Sequence, residues 1–183
     1  MKSHGPWTIL STNQVYQDPW VTVQRDEVIR PDGKPGTYAV VHIKPGVCVL
    51  PMDANRIVYL TEEFHYAVGQ TTIECVSGGR DEDEPPLIAA RRELREELGI
   101  EAEHWIDLGR LDPFTASVLS LTQLFLAQGL RMVQAAPEGT ELIRQVTISL
   151  DEAVEWVMKS QITHAPSMAL ILKVARTQDG KIS

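Results

Sequence analysis

GGRDEDEPPLIAARRELREELGI, residues 78–100, carries the clearest structural pattern in the chain. Its apolar residues recur at helical spacing and form one stripe, at Leu87, Ala90, Leu94 and Leu98. Pro85-Pro86 supplies a helix start, because proline is tolerated in the first turn of a helix. Gly99 follows the last leucine, at a position where helices commonly end. The segment therefore predicts one short amphipathic helix with a glycine behind it.

Three glutamates share one edge of this predicted helix. At about 100° per residue, Glu93, Glu96 and Glu97 fall within an arc of roughly 100° beside the apolar stripe. Glu93 and Glu97 are a like-charge i,i+4 pair, which costs a few tenths of a kcal/mol in an exposed helix. A hard divalent metal ion would relieve this repulsion, and a substrate of such a site would carry phosphates. The spacing alone leaves a metal site and a solvated acidic face equally open.

Composition is that of a globular protein. The chain has 183 residues, 43% of them hydrophobic and 23% charged, which suits one domain with at most a small appendage. A net charge of −8 argues against an extended nucleic-acid surface. No segment approaches the roughly 20 apolar residues of a membrane span, and we find no signal peptide. We expect no nucleic-acid partner, no membrane association and a cytoplasmic location, with Cys48 and Cys75 as buried free thiols.

Strand-like segments lie on both sides of the acidic helix. Before Lys44-Pro45 they cover 14–16, 20–30 and 38–43, and the turn at 31–34 would join the last two as a hairpin. After Gly46 they cover 47–51, 57–60, 72–76, 105–108, 121–127 and 142–148. We expect Asp151 to cap a helix that ends near Lys159, and a last helix from about Pro166 to Arg176. The pattern predicts an α/β or α+β fold, with an N-terminal β-sheet subdomain over 1–45 and a larger domain over 46–183.

The acidic segment also fills a known signature. It resembles that of the Nudix hydrolases, G-x5-E-x7-R-E-U-x-E-E-x-G-U, where U is a bulky aliphatic residue. All nine specified positions are matched, by Gly78, Glu84, Arg92, Glu93, Leu94, Glu96, Glu97, Gly99 and Ile100. The resemblance implies a Nudix-type α/β/α sandwich with a small N-terminal antiparallel sheet. It also implies a hydrolase that depends on Mg²⁺ or Mn²⁺ and acts on nucleoside diphosphates linked to another moiety.

The resemblance covers most of the chain and is closest to the ADP-ribose pyrophosphatase branch, which also hydrolyses other nucleoside diphosphate sugars. It implies a homodimer whose N-terminal sheet is swapped between subunits. Residues 61–68, TEEFHYAV, resemble the V-R-Q-Y-R-Y-A-V of that branch, but Glu62 and His65 replace its arginines. Residues 74–78, ECVSG, resemble E-x-P-A-G, and residues 112–116, DPFTA, stand where the branch has Y-P-S-P-G. The expected substrate is a nucleoside diphosphate sugar, either ADP-ribose or a related compound.

Roles for the acidic residues follow from the resemblance. Glu93, Glu96 and Glu97 would hold the metal, with help from Glu84 or its bound water and from the backbone carbonyl of Ser77 or Gly78. Arg92 would orient a glutamate, and the alternative is a surface ion pair with Glu96. A loop glutamate would act as general base.

Two loop glutamates are candidates for the general base. Glu141 matches the branch better than Glu138, and Arg144 replaces a second glutamate that the branch often has three residues later. An ordinary solvated loop acid is the alternative for each.

Substrate contacts are predicted at two kinds of position. Glu74, Gly78 and Gly79 lie in or beside the segment that leads into the signature. Trp20 and Phe64 are candidates for stacking on a nucleobase, with packing in the core as the alternative for both.

Two other functions stay open from the sequence. One is a Nudix hydrolase of another class, acting on dinucleoside polyphosphates, nucleoside triphosphates, NADH or coenzyme A. The other is a non-catalytic module that senses a nucleotide sugar. A pure binding module has no need for a mutually repelling acidic set, so the sequence favours the enzyme.

Overall fold

The computed structural model describes residues 1–135 and 142–178, and their contacts group into two units. The smaller unit comprises Met1–Pro45 together with Asp112–Leu121. The larger unit comprises Gly46–Leu111 and the described part of Thr122–Ser183. Asp112–Leu121 therefore groups with the N-terminal strands, although the expected division at residue 45 assigns it to the larger domain.

Twelve strands and three helices are formed by the described residues. The strands are β1 (Lys2–His4), β2 (Trp7–Gln17), β3 (Val21–Ile29), β4 (Pro35–Ile43), β5 (Gly46–Pro51), β6 (Ile57–His65), β7 (Gln70–Glu74), β8 (Val76–Gly79), β9 (Ile100–Leu111), β10 (Val118–Leu119), β11 (Thr122–Met132) and β12 (Arg144–Ser149). The helices are α1 (Pro86–Leu98), α2 (Leu150–Met158) and α3 (Ala165–Gln178). This content confirms the predicted mixed α and β fold.

The smaller unit is a five-stranded sheet in the order β1-β2-β3-β4-β10. Its strands pair antiparallel except for β10, which runs parallel to β4. The predicted turn at 31–34 joins β3 to β4, with the Arg30 N–H donating to the Lys34 carbonyl at 2.8 Å. Gly33 has a φ of +81°, which favours glycine there because other side chains rarely adopt that conformation. The hairpin is thus confirmed, and β1 was not predicted.

The larger unit is built around a four-stranded sheet in the order β8-β5-β11-β9. Alternate residues of its central strands enter two separate cores, because successive side chains of a strand point to opposite faces. Val47 and Val49 of β5 pack in the core that contains Leu94 of α1. Cys48 and Leu50 pack in the core that contains residues of α2 and α3. Helices on both faces of one sheet form the α/β/α sandwich that the family resemblance implies.

A three-stranded sheet in the order β12-β6-β7 completes the larger unit. Val58 and Leu60 of β6 are fully buried in the same core as α2 and α3. Each such side chain contributes roughly 1.5–3 kcal/mol relative to leaving it exposed. The register pairs Thr61 of β6 with Glu74 of β7, and Glu62 of β6 with Arg144 of β12. It therefore fixes which residues lie beside Glu74 and Glu62.

Helix α1 begins and ends as predicted. Pro85 is its N-cap and Pro86 its first residue, and Gly99 follows in the left-handed conformation with φ 61°. The Gly99 N–H donates to the Arg95 carbonyl at 3.0 Å and closes the last turn. Helix α3 likewise includes the predicted 166–176.

Two local predictions were wrong. Ser149, not Asp151, caps α2, because its extended backbone directs Oγ to accept from the Glu152 N–H at 3.1 Å. Asp151 lies in the first turn and pairs with Arg56. The strand predicted over 72–76 is interrupted at Cys75, which separates β7 from β8.

Cys48 and Cys75 are free and fully buried, as predicted. Within the described residues, none of the helices is both long enough and apolar enough to cross a membrane.

Candidate active site

Glu93 is packed directly against the backbone of β8. Glu93 is 8% exposed and lies on the face of α1 that contacts β8. A Cβ added to Gly78 would lie 2.0 Å from both the carboxyl carbon and Oε1 of Glu93. Glycine is therefore required at position 78 because the Glu93 carboxylate occupies the space of a side chain. The helix and the strand together hold this carboxylate in one place.

Arg92 joins three glutamates to the same strand. Its guanidinium donates to both oxygens of Glu84, at 3.1 and 3.0 Å, in a bidentate pair. It also donates to Glu93 at 2.8 Å and to Glu96 at 3.2 Å. A further bond at 3.0 Å reaches the carbonyl of Gly79 on β8. Arg92 is thus bonded to the glutamates that it was predicted to orient. The ion pair with Glu96, the alternative role for Arg92, is one of these contacts.

Charge pairing shifts the ionisation of this group. The hydrogen bond to Glu84 is the main reason that the pKa of Arg92 is raised, and the nearby Glu93 adds to it. The same bond from Arg92 lowers the pKa of Glu84, assisted by the Asp81 N–H, which donates to Glu84 at 3.1 Å. Arg92 and Glu84 are consequently both charged at neutral pH.

The donors around Glu93 suit a hard cation. Glu93, Glu96 and Glu97 follow one another on α1, and Glu96 and Glu97 are half-buried. As the side chains stand, no three His, Cys, Asp or Glu residues in 1–135 and 142–178 converge on a metal position. Arg92 donates to one oxygen of Glu93 and to one oxygen of Glu96, so it holds the two carboxylates beside one another. The oxygen-only donor set, with the β8 backbone beside Glu93, fits Mg²⁺ or Mn²⁺.

Both carboxylate oxygens of Glu74 contact other side chains of this protein. One oxygen accepts from Thr72 Oγ1 at 2.6 Å and lies 3.2 Å from His65 Nε2. The other lies 3.0 Å from His164 Nδ1. Burial raises the pKa of Glu74, but the hydrogen bond and charge of His164 outweigh it, so the pKa is lowered. These contacts favour a structural role for Glu74 beside the site.

Two positions that depart from the sequence pattern of the branch are direct partners. Glu62 on β6 is paired in register with Arg144 on β12, and the Arg144 side chain donates to the Glu62 carboxylate. The hydrogen bond from Arg144 lowers the pKa of Glu62. Where the branch has an arginine on β6 and often a glutamate on β12, this chain has the opposite charges. The two charge reversals therefore preserve an ion pair between β6 and β12, with the arginine on β12 and the glutamate on β6.

Both aromatic candidates for nucleobase stacking are exposed. Trp20 of the smaller unit is 63% exposed and lies beside a cavity of about 480 Å³, with Lys44 Nζ 5.0 Å from its ring centroid. Phe64, on β6 of the larger unit, is 57% exposed. Core packing, the alternative considered for both, does not apply. Stacking stays a prediction.

The structure groups some predicted residues and adds others. Glu84, Arg92, Glu93 and Glu96 form one cluster with Gly78 and Gly79, whereas Glu138 and Glu141 lie outside the described residues. Sequence reasoning missed His164 and Ser167, which are bonded to this region. No sequence signal marks them, because His164 is ninety residues from Glu74.

Comparison with known proteins is consistent with this geometry. Residues 42–173 match the NUDIX domain model, and residues 7–41 match the model for a nucleoside diphosphate sugar hydrolase N-terminal domain. The ADP-ribose pyrophosphatase of Mycobacterium tuberculosis (strain ATCC 25618 / H37Rv) is 29% identical over 98% of this chain and 88% of its own. A methanol dehydrogenase activator from Bacillus methanolicus is 25% identical over 84% of each chain. The crystal structure of an ADP compounds hydrolase has the same fold, with a TM-score of 0.83 at 21% identity over all of both chains.

Proposed function

The chain belongs to the Nudix family, and we propose that it hydrolyses the diphosphate bond of nucleoside diphosphate sugars such as ADP-ribose. The products would be a nucleoside monophosphate and a sugar phosphate. The observation that carries the proposal is the cluster in which Arg92 links Glu84, Glu93 and Glu96, with Glu93 against Gly78. The N-terminal match at residues 7–41 and the ADP-ribose pyrophosphatase relative support this substrate class.

Mg²⁺ or Mn²⁺ is the proposed cofactor. Glu93, Glu96 and Glu97 would hold it, together with Glu84 and the backbone carbonyl of Ser77 or Gly78. When bound, the ion supplies positive charge for the diphosphate and lowers the pKa of an attacking water. This explains how a protein of net charge −8 can bind a polyanion.

The chain's own residues prepare the site before substrate arrives. Glu93 is confined between α1 and β8, so little side-chain entropy remains to be lost when it becomes a ligand. Arg92 keeps Glu84 and Glu96 beside it and ties them to the Gly79 carbonyl. Glu141 is the proposed general base, with Glu138 as the alternative.

Substrate binding is proposed to involve exposed backbone and aromatic side chains. Gly79 offers backbone without a side chain, and nothing lies within 4 Å of a Cβ added there. Trp20 and Phe64 are each a candidate for stacking on the nucleobase. Arg144 supplies a guanidinium on β12 opposite Glu62, and His65 stands where the branch has its other arginine. Because arginine and histidine hold phosphate differently, these changes favour either ADP-ribose or a related diphosphate sugar as substrate.

A cytoplasmic homodimer with a swapped N-terminal sheet is the proposed state of the enzyme. The match of residues 7–41 to the N-terminal domain of nucleoside diphosphate sugar hydrolases supports the N-terminal part of this proposal.

A hydrolysis screen with Mg²⁺ and with Mn²⁺ tests the function. It would include ADP-ribose, ADP-glucose, UDP-glucose, GDP-mannose, NADH, diadenosine polyphosphates and nucleoside triphosphates. Glu97→Gln is the test variant, and Glu155→Gln, at an exposed helical glutamate with an i,i+4 lysine partner, is the matched control. We expect monophosphate release from diphosphate sugars, lost in Glu97→Gln and kept in Glu155→Gln. Pyrophosphate release from triphosphates would instead identify another Nudix class, and tight binding without cleavage would identify a sensor.

A further inference from the structure

A buried chain of hydrogen bonds joins α3 to the segment that leads into β8. Ser167, near the start of α3, is fully buried, and its Oγ accepts from the Cys75 N–H at 2.8 Å. The same Oγ lies 2.8 Å from His164 Nδ1. His164 Nδ1 in turn lies 3.0 Å from Glu74 Oε2. Both Glu74 and Cys75 are therefore bonded to residues at the beginning of one helix.

The chemistry of the groups decides where the protons lie. Because His164 Nδ1 faces a carboxylate oxygen, it carries a proton and donates to Glu74, and Ser167 Oγ accepts. The Ser167 hydroxyl is then left to donate to sulfur, and it contacts both Cys48 and Cys75. His164 Nδ1, the Ser167 hydroxyl and both Glu74 oxygens are all engaged, so the network favours one arrangement of these side chains.

The network ends on the backbone that faces Glu93. Cys75 interrupts the strand path between β7 and β8, and the Ser77 hydroxyl donates back to the Cys75 carbonyl at 2.9 Å. Ser77 and Gly78 follow at once, and Gly78 lies against the Glu93 carboxylate. A shift of Cys75 would be passed to the Ser77 and Gly78 carbonyls and to Glu93, because only one or two residues separate them.

We propose that Glu74, His164 and Ser167 are positioning residues that hold residues 75–78 in the conformation needed to bind the divalent ion. The proposal rests on the metal-dependent hydrolysis argued above. It assigns Glu74 an indirect role through the backbone, because both of its oxygens are already engaged by Thr72, His65 and His164.

The charges around His164 agree with this arrangement. Burial lowers the pKa of His164, but the hydrogen bond and charge of Glu74 outweigh it, with Cys48 adding a smaller effect, so the pKa is raised. His65 faces the same carboxylate from β6, and Cys75 lies on the other side of Ser167. Both shifts therefore favour the charged form of the Glu74–His164 pair.

The test compares Ser167→Ala, His164→Ala and His164→Asn in the full chain. The amide nitrogen of asparagine can occupy the place of Nδ1 and donate to Glu74, whereas alanine cannot. Ile162→Val is the control for a general loss of packing, because Ile162, between α2 and α3 in the chain, is fully buried and its apolar side chain forms no hydrogen bond. The readouts are Mn²⁺ affinity by electron paramagnetic resonance, and kcat and KM for ADP-ribose.

We expect Ser167→Ala and His164→Ala to weaken Mn²⁺ binding by about tenfold or more, as loss of an outer-shell partner usually does. The kcat would fall by a similar factor while KM for ADP-ribose changes little. His164→Asn should recover most of the Mn²⁺ affinity, and Ile162→Val should keep all of it. Wild-type affinity in both alanine variants, or no recovery in His164→Asn, would overturn the proposal. Mn²⁺ binding is measured without substrate, so a wild-type protein inactive on every diphosphate sugar would refute the function and leave this test intact.

Discussion

The contact between Gly78 and Glu93 leads to a quantitative prediction for Gly78→Ala. The new methyl carbon would lie 2.0 Å from the Glu93 carboxyl carbon and Oε1, and 2.5 Å from Oε2. Non-bonded carbons are separated by about 3.5–4.0 Å, so the carboxylate must move by roughly 1.5 Å. Glu93 has little room to move, because it is 8% exposed and bonded to Arg92 at 2.8 Å.

Both stability and activity should respond. Overpacking of this kind costs about 1–3 kcal/mol in the free energy of unfolding. Displacement of a reacting group by about 1 Å can cost on the order of 10²-fold in rate, so kcat should fall by about that factor. Urea unfolding followed by circular dichroism measures the first effect, and initial rates of ADP-ribose hydrolysis measure the second.

Two further variants separate the clash from other effects. Gly79→Ala adds the same methyl group where nothing lies within 4 Å, so its stability should remain near that of the wild type. Gly78→Ala combined with Glu93→Asp withdraws the carboxylate by about 1.5 Å, one carbon–carbon bond, and should regain stability without regaining activity. Wild-type stability and rate in Gly78→Ala alone would refute the reasoning, since Glu93 could not then lie against this backbone.

Three other predictions follow from the ion pairs. Arg92→Lys loses the bidentate bond to Glu84 and should raise the Mn²⁺ concentration for half-maximal activity about tenfold, measured by metal titration of the rate. Glu62→Arg should lower the melting temperature by facing two arginines across β6 and β12, and adding Arg144→Glu should restore it, measured in a thermal double-mutant cycle. The Glu74–His164 pair should stabilise the fold most between about pH 4.5 and 6.5, measured by urea unfolding across pH with His164→Asn as reference.

The sign of the pH effect follows from the two shifts. The pKa of His164 is raised above 6.5, so its contribution is complete below that pH and is lost as the pH rises through the folded value. The pKa of Glu74 is lowered from 4.5, so its contribution is complete above that pH and is lost as the pH falls through the folded value. An identical pH dependence in wild type and His164→Asn would contradict this account. For Arg92→Lys, an unchanged Mn²⁺ concentration for half-maximal activity would contradict the prediction. For the charge reversal, the contradicting result is a double variant, Glu62→Arg with Arg144→Glu, that melts no higher than Glu62→Arg alone.

Helix α1 shows how far local pattern can go. Leucine spacing, Pro85 and Gly99 act within a few residues of one another, so the helix and both of its ends were predictable. The cap of α2 shows the limit, because Ser149 and Asp151 are both good capping residues. The backbone conformation selects between them, and it depends on where β12 ends.

Contacts between residues far apart in the sequence could not be predicted from local spacing. The sequence identifies Glu62 and Arg144 as departures from the branch, but only the register of β6 and β12 shows that they are a pair. The interruption at Cys75 is similar. Its N–H bonds to Ser167, ninety-two residues later, rather than to a neighbouring strand.

The amino-acid sequence alone identifies the acidic helix, the mixed fold and the family, because these depend on spacings within short segments. The tertiary structure alone shows that Glu93 fills the space of a side chain at Gly78 and that Arg92 ties three glutamates to β8. It alone joins Glu74 to His164 and Ser167. The physical reason is that hydrogen bonds and steric contacts depend on distances of about 3 Å, which packing sets between residues far apart in the chain.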